Sequence, residues 1–296
     1  MTAIPFTARR APVSTAGEIR RRAEEALTRV GAPSPRADAA ALAAHACGWG
    51  AAQFAKRLRE APPPGAAERL AALTARRVNG EPLQLIIGAA PFLGLDLVVA
   101  PGVFIPRVET EGLATRAEEF VAGAIAPVVV DLCAGVGPLA VYLGRRRPDA
   151  RVIAVEVDER AASLLRRNAG VYDVNVEVMV GDVTDGALSA RLPEADLIVS
   201  NPPYIKTGQM PALPAEIRDW EPGGALDGGA DGLNFYPHIA NLAAKLLRPG
   251  GAVAVEIGED LTERASEIFG GVGDVGVGQD LAGRDRYLWA RKAGGC

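Results

Sequence analysis

Aromatic side chains are scarce in this 296-residue chain, where Phe, Trp and Tyr together make up 5%. Hydrophobic residues still reach 49%, so the core is expected to be built from small aliphatic side chains. Cysteine is scarcer still. Cys47, Cys133 and Cys296 are too few and too far apart for a disulfide framework or a zinc cluster, and they suit a reducing compartment. The two histidines, His45 and His238, both fall in helical patterns and offer little to a metal site. No run approaches the roughly 18 apolar residues that span a bilayer. The opening MTAIPFTARR lacks the apolar stretch of a secretory signal, so the expected location is the cytoplasm.

What is present is unevenly distributed. The formal charge of −4 combines 13 Lys/Arg and 6 Asp/Glu in residues 1–80 with 19 and 30 in the remainder. A basic segment of charge +7 thus precedes an acidic one of charge −11, which suggests different partners for the two. Ile19, Ala23, Ala26, Leu27 and Val30 share one helical stripe. Ser34-Pro35 starts a second helix, with a cap residue followed by proline in the first turn. Shorter helices are expected over 51–60 and 66–78, with Leu70 and Leu73 inward, separated by Pro62-Pro63-Pro64. Residues 1–80 therefore read as a small helical domain. Residues 81–108 read as a β-hairpin linker, because Leu95, Leu97 and Val99 alternate between Gly94 and Pro101-Gly102. A helix over 109–122 follows. From Val128 onward strands near 127–132, 151–156, 175–180, 195–200 and 251–257 alternate with helices near 138–147, 159–169, 235–247 and 260–269. Such alternation predicts a parallel sheet covered on both faces, with ligands at the carboxyl ends of its strands. Two further strands between Gly271 and Arg291 are expected to close the sheet as an antiparallel pair, completing a domain over 109–296.

The first strand of this sheet ends at Asp131 and runs into Cys133-Ala134-Gly135-Val136-Gly137-Pro138. Glycine in such a turn lets the backbone approach a ligand where a Cβ would collide. Glu156, at the tip of the next strand, can accept both hydroxyl protons of a ribose. Asp182, after the third strand, can accept from an adenine amino group. Asp131, Cys133, Ala134, Gly135, Val136, Gly137, Glu156, Asp182 and Asn201 are the expected cofactor-binding residues. The glycine turn by itself also satisfies a relaxed dinucleotide pattern, which leaves a nicotinamide or flavin enzyme open.

The fourth strand delivers Asn201-Pro202-Pro203-Tyr204 to the same edge. Consecutive prolines stiffen the turn and remove two N–H donors, leaving carbonyls as acceptors. The Asn201 side chain adds a carbonyl oxygen and Tyr204 a flat face. Together these parts can hold an NH2 group by both hydrogens while its nitrogen faces an electrophile. The four residues are the expected catalytic set, acting by orientation and by stabilising the charge that grows on nitrogen.

With these segments in hand, the chain closely resembles the bacterial release factor glutamine methyltransferases, the HemK-like family. The similarity includes Ser34-Pro35-Arg36, Gly80-Glu81-Pro82-Leu83, the run from Pro101 to Arg107, and Glu109-Thr110-Glu111. It continues through Asn201 to Ile205, Glu221-Pro222, Ala225 to Gly229, Glu256-Ile257-Gly258 and Asp280 to Asp285. The resemblance implies a seven-stranded, Rossmann-like class I methyltransferase sheet preceded by a helical domain that docks the substrate protein. It implies S-adenosylmethionine as cofactor, with Asp182 and Val183 at its adenine, and the glutamine of the Gly-Gly-Gln motif of peptide chain release factors as acceptor. The acidic catalytic part and the lack of a long apolar run leave neither nucleic acid nor membrane as the expected partner. Departures are Val108 where proline is usual, Cys133 for glycine, Val136 and Pro138 for small polar residues, Glu156 for aspartate and Leu85 for tyrosine. They leave open a divergent relative acting on a small amine, amide or guanidine. Asn-Pro-Pro-Tyr is also shared with DNA adenine methyltransferases.

Overall fold

In the computed structural model, residues 14–280 and 282–294 are described, and the chain divides into compact units Met1–Ile87 and Gly88–Cys296. The opening MTAIPFTARR, Leu281 and Cys296 lie outside the described residues.

The first unit is helical: α1 (Ala16–Arg29), α2 (Pro35–Cys47), α3 (Ala51–Lys56), α4 (Ala66–Val78) and α5 (Leu83–Ile87). Helix α1 begins with a capping box in which Thr15 Oγ1 accepts the Glu18 N–H and the Glu18 carboxylate accepts the Thr15 N–H at 3.0 Å. Ile19, Ala23 and Leu27 pack with Leu42, Phe54, Leu70 and Ile86 in a core of mostly small side chains, with Leu73 partly buried against it. Val30, expected on the same stripe, falls just past the end of α1 and is 52% exposed. A buried ion pair, Arg77 Nε to Asp38 Oδ2 at 2.7 Å, ties α4 to α2. Residues 83–87, expected within the hairpin linker, form helix α5 instead. Its N-terminal turn follows Pro82, whose carbonyl accepts the Leu85 and Ile86 N–H groups at 3.1 Å each.

The second unit opens with the hairpin β1 (Ala89–Phe92) and β2 (Leu95–Val98), then α6 (Thr110–Phe120). Alternating elements follow: β3 (Val128–Leu132), α7 (Pro138–Arg146), β4 (Arg151–Glu156), α8 (Glu159–Val171), β5 (Val176–Val180) and β6 (Ala195–Ser200). The short α9 (Ala215–Arg218), α10 (Tyr236–Leu246), β7 (Leu247–Glu256), α11 (Thr262–Gly270), β8 (Asp274–Gln279) and β9 (Asp285–Arg291) complete it. The strands form one seven-stranded sheet in the order β5-β4-β3-β6-β7-β9-β8, with β9 antiparallel to both neighbours. Every residue of β3 is buried because both faces of the sheet are covered. Val130 and Leu132 join the core under α10 and α11, and Val129 joins the one under α6, α7 and α8.

Fully buried Asn168 on α8 holds the hairpin to this body, accepting the Val98 N–H at 2.7 Å and donating to the Val136 carbonyl at 2.9 Å. Strand order reverses between β3 and β6, which opens a crevice at their carboxyl ends.

Candidate active site

That crevice is a cavity of about 340 Å³, inside the size range of small-molecule sites. Its wall takes Cys133 and Gly135 from the loop after β3, Glu156 from β4, and Asp182 and Val183 from beyond β5. Asn201, Pro202, Pro203 and Tyr204 line it from the end of β6. Asp131, Ala134, Val136 and Gly137, also expected to bind cofactor, lie behind this wall. Asp131 instead accepts the Ala140 N–H at 3.0 Å, setting a carboxylate at the N-terminus of α7. Burial pushes the Asp131 carboxyl well above the usual carboxylate range.

The loop after β3 owes its shape to three left-handed residues, Cys133 (φ 56°), Gly135 (φ 56°) and Gly137 (φ 88°). A Cβ on Gly137 would stand 2.7 Å from Leu165 Cγ, so this glycine permits α7 and α8 to close together. A Cβ on Gly135 would meet no atom within 4 Å. Its glycine serves backbone conformation and an N–H that donates to Glu156 Oε2 at 2.6 Å. The other Glu156 oxygen accepts the Asp158 N–H at 2.9 Å. Burial raises the Glu156 carboxyl, against the pull of these backbone donors. Each oxygen keeps a lone pair for a ribose hydroxyl. Asp182 accepts from the Thr184 N–H and hydroxyl at 2.8 Å each, which fixes its carboxylate beside the same cavity. An acceptor at each of two adjacent strand tips, with a tight glycine-containing loop between β3 and α7, fits a nucleoside-bearing cofactor.

The Asn201–Tyr204 segment is braced from both sides. Before it, buried Ser200 donates to the Leu132 carbonyl at 2.7 Å, locking the end of β6 to β3. After it, the Ile205 N–H donates to Leu226 and the Gly228 N–H to Ile205, at 3.0 and 2.8 Å. A Cβ on Gly228 would lie 2.6 Å from Tyr204 Cα, so the Ala225–Gly229 run is there to back the proline turn. Asn201 Nδ2 donates to Thr110 Oγ1 at 3.1 Å, and Thr110 donates to Glu256 Oε2 at 2.6 Å. Tyr204 Oη donates to the second oxygen, Glu256 Oε1, at 3.1 Å. Among the described residues nothing donates to Asn201 Oδ1 or to the Pro202 carbonyl. Two acceptors are therefore left at the cavity wall.

Thr110 and Glu256 lie in the Glu109-Thr110-Glu111 and Glu256-Ile257-Gly258 segments, where no local pattern gives either a role. An acid at the tip of a strand that otherwise reads Ala252-Val253-Ala254-Val255 was the available signal. Phe104 and Arg107 form a further part of the wall. The Arg107 guanidinium lies 4.8 Å from the Phe104 ring centre and pairs with buried Glu221, which also accepts the Ile105 N–H at 3.1 Å. Val108, the position where proline is usual, is 69% exposed and outside this wall.

Residues 18–88 match the PrmC N-terminal domain and residues 95–216 the methyltransferase small domain. The chain is similar to the release factor glutamine methyltransferase of Corynebacterium glutamicum, at 42% identity over 283 residues, 94% of this chain and 99% of that one. It is also similar to the 4-amino-L-phenylalanine/4-methylamino-L-phenylalanine methyltransferase of Streptomyces pristinaespiralis, at 38% identity over 247 residues and 82% of each chain. Among solved structures, a methyltransferase from Pyrococcus furiosus shares the fold at TM-score 0.50 and 21% identity, covering 75% of this chain and 99% of that one. No described helix is long and apolar enough to cross a membrane.

Proposed function

The chain belongs to the family of release factor glutamine methyltransferases, and from that premise we propose that it methylates the side-chain amide nitrogen of the Gly-Gly-Gln glutamine in a peptide chain release factor. S-adenosylmethionine is the methyl donor, and when bound it supplies an electrophilic sulfonium methyl. The observation that carries the reading is the pair of acceptors at Asn201 Oδ1 and the Pro202 carbonyl, on the wall that also holds Glu156.

An amide nitrogen is a poor nucleophile because its lone pair is shared with its carbonyl. Asn201 and Pro202 accept its two hydrogens, which fixes the direction of the lone pair and stabilises positive charge as it grows on nitrogen. Tyr204, held by Glu256, covers the flat amide face. The proton on nitrogen leaves to water after transfer, so no protein base is needed. Glu156 accepts from the ribose hydroxyls and Asp182, beside Val183, from the adenine amino group. Cys133 and Gly135 let the cofactor lie against backbone. Asp131, Ala134, Val136 and Gly137 act one layer behind, by shaping that loop. The helical unit, with its excess of basic residues, offers a second surface for the body of the factor.

The Streptomyces relative, named for an aromatic amine, favours a second reading in which a small amine occupies the same acceptors. One experiment separates the two. The enzyme is incubated with labelled cofactor and, in parallel, intact release factor, a Gly-Gly-Gln peptide, 4-aminophenylalanine, arginine and DNA, and the label is located by mass spectrometry. Label on the glutamine side chain of the intact factor, with the peptide a much poorer acceptor, is expected. The short motif makes too few contacts to offset the ordering of a flexible loop. Label confined to a small amine, or to adenine, would overturn the reading.

A further inference from the structure

Asn201 can serve as an acceptor only if its carboxamide faces the cavity oxygen-first, and nothing in Asn201 itself decides which end that is. We propose that Thr110 and Glu256 are positioning residues that set the orientation of the Asn201 carboxamide through a one-way chain of hydrogen bonds. The inference rests on the acceptor role assigned to Asn201 above.

Thr110 and Glu256 are 1% and 2% exposed, on α6 and at the tip of β7. A hydroxyl carries one hydrogen. At 2.6 Å from Glu256 Oε2, the Thr110 hydrogen goes to the carboxylate, the stronger acceptor. Toward Asn201 the Thr110 oxygen then presents only lone pairs, so the NH2 end must turn to it, as the 3.1 Å contact records. Oδ1 is thereby directed to the cavity. The second carboxylate oxygen takes the Tyr204 hydroxyl, so one buried charge orients both members of the proline turn that bear polar side-chain groups.

Protonating Glu256 reverses the chain. The new hydrogen lies between Glu256 and Thr110, the Thr110 hydrogen is released toward Asn201, and the amide turns over to meet it with Oδ1. An NH2 group would then face the acceptor's NH2 group. The groups that bear on this switch are Glu109 beside α6, Arg286 on β9, Tyr204, Tyr236 of α10 and Asp260 beyond β7. Tyr236 Oη donates to the Glu256 backbone carbonyl at 3.1 Å, and Arg286 is itself held by Asp280. Burial outweighs the Thr110 and Tyr204 hydrogen bonds and pushes the Glu256 carboxyl up to about 7.

The test compares Thr110→Val, Thr110→Ser and Glu256→Gln with wild type at saturating cofactor and acceptor. Thr110→Val is expected to lower kcat about 100-fold, the lower end of what one lost oriented donor or acceptor at a reacting group costs. Cofactor Kd should stay within about twofold, since the interaction matters only in the transition state. Thr110→Ser should recover most of kcat. Wild-type kcat should rise with pH through an ionisation near 7, and that limb should vanish in Glu256→Gln. A substrate-free arm follows the Asn201 side-chain amide by NMR, identified by its loss in Asn201→Ala. It should titrate in wild type and not in Glu256→Gln. Wild-type kcat in Thr110→Val, a Thr110→Ser variant as slow as Thr110→Val, or an Asn201 amide that ignores pH in wild type would each overturn the proposal. If the wild type labels only another acceptor, the release-factor reading falls, while the NMR arm still decides the orientation of Asn201.

Discussion

Glu156 Oε2 accepts the Gly135 N–H at 2.6 Å, joining the tip of β4 to the loop after β3. The carboxylate proposed for the ribose thus also braces the loop proposed to lie under the cofactor. Replacing Glu156 by Ala removes both functions and is expected to weaken S-adenosylmethionine binding by about 1–3 kcal/mol, the cost of unpaired polar groups. Calorimetric titration checks this, and an unchanged affinity would remove Glu156 from the ribose site.

Asn201→Ala should separate binding from chemistry. Cofactor affinity is expected to change little, whereas turnover should fall by about 100-fold or more, because the acceptor acts in the transition state. Single-turnover rates with saturating cofactor measure the effect directly. Normal turnover would mean that the proline turn holds no reacting amide.

Two positions in one loop should respond to different degrees. Gly137→Ala drives a Cβ to 2.7 Å from Leu165 Cγ at a φ of 88°, and a loss of about 1–3 kcal/mol is expected from overpacking and backbone strain. Cys133→Gly places glycine at a φ of 56° that disfavours other residues, so relief of strain offsets lost burial of the thiol. Its urea midpoint should lie close to wild type.

Stability should depend on pH with a sign that Glu256 determines. Its carboxyl titrates near 7 in the folded chain against an ordinary 4.5. Below 4.5 both folded and unfolded states hold the proton, and between 4.5 and 7 only the folded state does. Stability is therefore lost as pH rises through that window, by about 3 kcal/mol from this group. Burial raises Asp131, Glu156 and Glu221 in the same sense. Thermal melts from pH 5 to 8 should show a shallower decline in Glu256→Gln than in wild type. Equal slopes would show that Glu256 ionises as freely as in the unfolded chain. The state that the folded protein favours at low pH is the one proposed to misdirect Asn201, so activity and stability draw on opposite protonation states of one residue.

The alternating sheet was legible because strand residues such as Val128 to Val130 and Leu197 to Val199 are apolar runs bounded by Pro, Asp and Ser. The hairpin at 89–98 was legible from the alternation of Leu95 and Leu97 with Asp96. Helix α5 was not, because its five residues, Leu83 to Ile87, are too few for a helical period to appear and Pro82 precedes them. Val30 fitted the stripe of α1 and yet is exposed, because periodicity does not say where a helix stops.

By itself the sequence determined the succession of elements, the glycine loop, the acids at strand tips and the Asn-Pro-Pro-Tyr turn, because each is a local pattern whose physics acts within a few residues. Tertiary structure alone decided which of those residues reach the cavity. Asp131 and Glu156 look alike as strand-end acids on one face of the sheet, yet Asp131 pairs with Ala154 and so lies deeper, where it meets the N-terminus of α7, while Glu156 stands beyond that pair at the tip of β4 and lines the crevice. It alone also brought Thr110 and Glu256, 146 residues apart, into one buried hydrogen bond behind Asn201. That contact depends on β7 pairing with β6 and on α6 packing against β7, arrangements made by the whole sheet that no local spacing encodes.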